Sequence, residues 1–130
     1  MNQKNKMVKK HTELTVYQKS FDASMVLFQI SQGFPKEETY SLTDQVRRSS
    51  RSVSANLAEA WRKRRYEAAF IAKLTDCEAE AAETQVWIQY SVECAYLDRE
   101  TATNLHKEYD EILSMIVAMI LEPKKWLLTK

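Results

Sequence analysis

Only one glycine and two prolines occur in the 130 residues. Sandwiches, barrels and doubly wound sheets need many glycine-bearing turns, so this scarcity argues against all three. A lone Gly33 also rules out a glycine-rich phosphate loop, which needs two or three glycines at fixed spacing. A structural zinc site needs four clustered Cys/His ligands, and two cysteines 17 residues apart with two distant histidines do not suggest one. The residue three before His106 is Thr103, so the inward Glu-x-x-His pair of a di-iron bundle is missing as well. No G-x-S-x-G motif occurs, and neither Cys77 nor Cys94 has a histidine beside it in the chain. These absences lead us to expect no enzyme, no cofactor and no metal. The apolar run Ile112 to Leu121 is about half of what a bilayer requires, and no apolar segment follows the N-terminal lysines. The expectation is a cytoplasmic protein without membrane contact, its cysteines reduced and set in the core.

What is present is helical. Leu14, Tyr17, Phe21, Met25 and Phe28 recur every three or four residues and predict a first helix over about 13–32, ended by a left-handed turn at Gly33 and by Pro35. A second helix begins near Thr39–Ser41, with Thr39 or Ser41 as its cap, and reaches Trp61–Arg65. Its stripe is Leu42, Val46, Ser49 or Ser50, Val53, Leu57 and Ala60 or Trp61. The third helix, about 66–96, is read from Phe70, Leu74, Cys77, Ala81, Thr84, Ile88 and Val92. The fourth, about 99–121, has Asp98 as its cap and Leu105, Tyr109, Ile112, Ile116 and Met119 or Ile120 as its stripe; Pro123 ends it. Four helices with short connections imply an all-α, antiparallel up-down four-helix bundle over 13–121. Residues 1–12 read as a flexible basic arm, either simply frayed or binding a polyanion. Residues 122–130 read as a basic tail whose Trp126, Leu127 and Leu128 dock on a neighbour or hang free.

The net charge of +1 conceals a division. Residues 1–65 carry 13 Lys/Arg against 6 Asp/Glu, whereas residues 66–123 carry 3 against 12. Such a chain presents opposite faces, one suited to polyanions and both suited to head-to-tail contact between copies. Arg47, Arg48 and Arg51 lie on one side of the second helix, turned away from its apolar stripe, and Arg62 and Arg65 return to that side if the helix runs as far as they do. Lys63 and Arg64 carry the charge round its end. Guanidinium forks match phosphate oxygens, and Trp61 and Tyr66 stand ready to stack on bases. The competing reading pairs these arginines with Glu78, Glu80 and Glu83 of the third helix. Glu78 borders the Leu74–Ala81 seam and needs a partner, for which Arg47 and Arg51 are candidates. Asn56 borders the second helix's stripe as a register-fixing amide or a ligand contact. Val86, Trp87 and Tyr90 lie off one seam, and Val26, Leu27 and Ile30 widen another; this surplus apolar surface implies that the protein is not a monomer.

The segment from Leu42 to Ala60, LTDQVRRSSRSVSANLAEA, resembles the signature of the 23S rRNA intervening-sequence protein family, also called four helix bundle proteins. Leu14 to Ser20 is similar to that family's opening motif. Glu80 to Val86, with the later Tyr96-Leu97, is similar to its third-helix pattern. The resemblance covers about 13–120. It implies a bundle assembled into a ring, a homopentamer, in a bacterial protein; RNA or DNA as partner is expected from the arginine face, and from the resemblance only through a related branch. For a related branch, the accessory proteins of diversity-generating retroelements, it implies a reverse transcriptase as partner. Arg47, Arg48 and Arg51 fall on the family's basic positions, and Gln45, Asn56 and Glu59 on its polar signature. One departure is Ala60, where the family has glycine; it predicts that the second helix continues through this point. The combined expectation is a nucleic-acid surface made of Arg47, Arg48, Arg51, Arg62, Lys63, Arg64 and Arg65. The alternative is a protein-interaction scaffold.

Overall fold

The structure, a computed structural model, describes residues 8–128. Four helices occur among them and no strand: α1 (Thr15–Ser31), α2 (Leu42–Arg62), α3 (Glu67–Glu93) and α4 (Arg99–Leu121). Short 3₁₀ turns flank them at His11–Glu13, Lys36–Glu38 and Pro123–Lys125. Connections of ten, four and five residues leave successive helices antiparallel. The helices pack in a closed cycle, α1 on α2, α2 on α3, α3 on α4 and α4 back on α1. No helix among the described residues is long and apolar enough to cross a membrane.

The stripes expected for α2, α3 and α4 are the ones that fill the core. Val46, Val53, Leu57, Phe70, Leu74, Cys77, Ala81, Ile88, Tyr109, Ile112 and Ile116 are all fully buried or nearly so. Each large side chain removed from water contributes about 1.5–3 kcal/mol, which is what offsets the entropy of ordering the helices. Small residues let the helices approach closely, and their hydroxyls are satisfied across the gap. The Ser20 and Ser54 hydroxyls lie 2.9 Å apart between α1 and α2. Thr84 Oγ1 donates to Ser49 Oγ at 2.8 Å between α3 and α2.

The first helix lies where the sequence placed it, but its expected stripe is only partly inside: Leu14 is buried and Tyr17 and Phe28 are half-buried. Its buried face is Val16, Ser20, Ala23, Ser24, Leu27 and Ser31. Phe21 and Met25, expected inside, are 46% and 43% exposed, and Val26 beside them is 45% exposed. Ser20, Ala23, Ser24 and Ser31 take the inner side, where the Ser20 hydroxyl meets Ser54 of α2, and Phe21 and Met25 face outward. Gly33 likewise is not left-handed. Successive turns carry the chain through it, with Gly33 N–H donating to Ile30 O and Phe34 N–H to Ser31 O. The left-handed position is instead Ala95, at φ 66°.

Caps and termini refine the picture. Neither Thr39 nor Ser41 caps α2; the N–H of Leu42 donates to Glu38 Oε1, whose other oxygen accepts from the Tyr96 hydroxyl at 2.9 Å. Asp98 caps α4 as expected, accepting from Thr101 N–H at 2.9 Å. Residues 1–7 of the expected basic arm lie outside the described residues, but residues 8–12 are not loose: Val8 is buried and a 3₁₀ turn begins at His11. Of the two thiols, Cys77 is in the core and Cys94 is exposed at the end of α3. The tail docks on its own chain, Trp126 meeting Trp61 edge-on at 6.0 Å between ring centroids.

Candidate nucleic-acid interface

The helix that carries the cations is amphipathic, so its polar side is fixed once Val46, Val53 and Leu57 enter the core. Arg47, Arg48 and Arg51 then face a surface cavity of about 530 Å³, open to solvent and lined also by Thr39, Tyr40, Thr43 and Asp44. Arg47 and Arg51 sit over the Phe28 ring of α1, their guanidinium carbons 4.8 and 5.7 Å from its centroid. Arg47 Nε donates to Ser31 Oγ at 2.7 Å. One of its five N–H donors is thereby used, and four stay unpartnered among the described residues. Ring stacking and this hydrogen bond hold the side chain in one orientation.

The expected pairing with the third helix is nearly absent. Among the described residues neither Arg47 nor Arg51 has a carboxylate within 4.0 Å. Arg48 donates to Gln45 Oε1 at 2.7 Å and reaches Glu83 at 4.0 Å, with both side chains substantially exposed. Glu78 is half-buried and makes no ion pair with either candidate arginine. The carboxylate that is pressed into the bundle is Glu80, whose Oε1 is buried. Burial first, and the neighbouring charge of Glu83 second, raise its pKa above the ordinary carboxylate value.

The remaining signature residues divide between roles. Gln45 accepts from Arg48, as above. Asn56 is half-buried, and Glu59 is exposed and pairs with Lys73 at 3.0 Å. Ala60 is helical and buried, so α2 does continue past the family's glycine position, to Arg62.

Arg62 is exposed at the end of α2, about 16 Å beyond Arg51 at 1.5 Å per residue; Lys63 and Arg65 are exposed too but lie past the helix end, so Arg65 is not on the helical side expected for it. Arg64 is a correction to the expected site, being only 8% exposed. Its guanidinium carbon lies 3.5 Å from the Trp61 ring centroid. Nε donates to Trp61 O at 2.7 Å and Nη1 to Trp126 O at 3.4 Å. The flat cation is consumed in joining the helix exit to the tail, and burial followed by the Arg62 charge lowers its pKa. Trp61, expected to stack on bases, is 1% exposed and fills the core. Tyr66 is exposed as expected. Tyr40, which the sequence reading missed, is 94% exposed at the arginine cavity. Its one sequence signal is an aromatic residue just ahead of a basic helix. Among the described residues, no group of three or more His, Cys, Asp or Glu side chains is placed to hold a metal ion.

Comparison with known proteins agrees with this architecture. The family model described as 23S rRNA-intervening sequence protein matches residues 12–118. A similar solved structure is the crystal structure of a protein with unknown function from the S23 ribosomal protein family of Bacteroides thetaiotaomicron VPI-5482. It is 26% identical, the match covers 82% of this chain and 98% of that one, and the TM-score is 0.73. No curated protein matches the chain. The Arg47–Arg48–Arg51 cavity lies within the matched residues, and the chain belongs to the 23S rRNA-intervening sequence protein family.

Proposed function

We propose that this protein is a non-enzymatic nucleic-acid-binding protein that takes the phosphate backbone of RNA or DNA on the arginine cavity of α2, as a homo-oligomer. The observation that carries the reading is the state of Arg47 and Arg51. Phe28 and Ser31 hold Arg47, Arg51 lies over the same Phe28 ring, and among the described residues no carboxylate neutralises either. A side chain ordered in advance loses less entropy on binding, and an unpaired guanidinium keeps its forked donors for phosphate. Tyr40 adds an exposed ring on which an unpaired base can stack. Nothing in this arrangement reads base edges, so the recognition is of backbone and shape.

The test is a binding titration against structured RNA and duplex DNA across salt. Three phosphate contacts give a slope of log K on log salt near −0.9 per contact for duplex, about −2.7 in all. Replacing Arg47, Arg48 and Arg51 with alanine removes that slope and weakens all sequences alike. Absence of binding at low salt refutes the reading.

A second reading is favoured by a different observation, the bulky stripe of Phe21, Met25 and Val26 exposed along α1. An exposed apolar row of this kind suits a protein neighbour. We assign it to contact between copies, in keeping with the pentameric ring that the family resemblance implies. As a scaffold alone, the protein would use the arginines for subunit or partner contacts, a reverse transcriptase being one such partner. Light scattering separates the readings. The triple arginine variant stays assembled and loses nucleic acid if the first holds, and it falls apart if the second does.

A further inference from the structure

Both ends of the described chain meet at the exit of α2. Trp61 is the hub: its Nε1 donates to the carbonyl of Lys9 at 3.2 Å, and its ring carries Arg64 on one face and meets Trp126 edge-on. Leu128 N–H donates back to Arg64 O at 3.2 Å. Three segments far apart in sequence, around residues 9, 64 and 126, are thereby tied together. Each brings lysine or arginine with it: Lys9, Lys10, Arg62, Lys63, Arg65 and Lys124 are exposed, as is Lys125, which pairs with Glu122. The carboxylates nearby are fewer. Glu13 accepts from the backbone N–H of Lys9, Glu122 is paired with Lys125, Glu59, one turn before Arg62, is paired with Lys73, and Glu67 opens α3. Arg64, beneath this surface, is a buried cation held by carbonyls and an indole face.

We propose that this end of the bundle, where Trp61 and Arg64 gather both terminal segments, is a second phosphate-binding surface that extends the α2 cavity into one track for a nucleic-acid backbone. The inference rests on the proposed nucleic-acid function and adds the terminal lysines to it. Geometry links the two surfaces. Arg62 follows Arg51 by eleven residues, which at 100° per residue leaves it only about 20° round the helix and about 16 Å along it. That distance is about five nucleotide steps of a duplex strand, so one bound duplex reaches both.

The experiment uses the full chain and a fluorescent DNA duplex of about 20 base pairs, with an RNA hairpin of similar length, titrated between about 50 and 200 mM salt. The variants are Lys9→Glu/Lys10→Glu/Lys124→Glu and, with the termini untouched, Arg62→Ala/Lys63→Ala/Arg65→Ala. Circular dichroism checks that each keeps its helices. Each lost phosphate contact is worth about fivefold at 0.15 M salt, so either variant is expected to bind about 100-fold more weakly, with the slope shallower by 2 to 3. If both variants bind as the unaltered chain does while Arg47→Ala/Arg48→Ala/Arg51→Ala loses affinity, the second surface is refuted and the cavity stands. If the unaltered chain binds neither probe at low salt, both readings fall. Binding only to an acidic protein, with the same sensitivity to these variants, also overturns the proposal.

Discussion

Replacing Ala95 with glycine should stabilise this bundle. The turn after α3 satisfies its last carbonyls in a fixed pattern: Tyr96 N–H donates to Ser91 O at 2.9 Å and Ala95 N–H to Val92 O at 3.0 Å. This pair of bonds requires a left-handed residue between the helix and Tyr96, and Ala95 takes that role at φ 66°. A Cβ there costs about 1–2 kcal/mol, and glycine gives back about 0.5–1 kcal/mol through its freer unfolded chain. The side chain is exposed, so its removal leaves no cavity. The net gain is about 0.5–1 kcal/mol. With an unfolding entropy of about 2.1 cal/mol/K per residue, that raises the Tm by about 2–4 °C. Thermal melts by circular dichroism, at one protein concentration for both chains, measure it. An unchanged or lower Tm would refute the account of this turn.

Other outcomes follow from single features. Cys94 should react with a thiol reagent in the native protein, whereas Cys77, its thiol pushed up to about 12 by burial, should react only on unfolding. A native count of two reactive thiols contradicts this. Hydrogen bonds from the Thr101 hydroxyl and then its backbone N–H hold the Asp98 carboxyl below the ordinary carboxylate range. Its folded pKa is depressed, so its contribution is complete above the unfolded value of about 3.9 and is lost as pH falls through the folded one. Urea midpoints of Asp98→Ala should therefore be lower near neutrality and converge on those of the unaltered chain in acid; a constant gap would be the wrong result. Tyr40→Ala should weaken single-stranded nucleic acid by about 1–3 kcal/mol per stacked base and duplex far less. Equal losses on both probes would show that the ring does not stack.

The bundle was readable wherever bulk and burial coincide. On α2, α3 and α4 the large apolar residues recur at helical spacing and also face inward, so periodicity located the core. On α1 the two came partly apart. Periodicity cannot tell a stripe that faces the core from one that faces outward, and here serines and an alanine take much of the inner side. Arg47, Arg48 and Arg51 were legible because an amphipathic helix fixes its polar side. Arg64 was not, since nothing in a run of four basic residues separates a buried cation from exposed ones. The signal that was available is the tryptophan three residues earlier, one helical turn away, on which a flat guanidinium can lie. Phe28 and Ser31 were invisible as supports for Arg47, because their contact depends on how α1 and α2 are rotated against each other.

The Trp61–Arg64–Trp126 contact also gives the protein a built-in optical gauge. Two of its three indoles meet there, and one lies face to face with a fixed positive charge. Emission from that pair depends on the local field and on whether the tail stays seated, so intrinsic fluorescence can follow this end of the molecule during melting or titration without any attached dye.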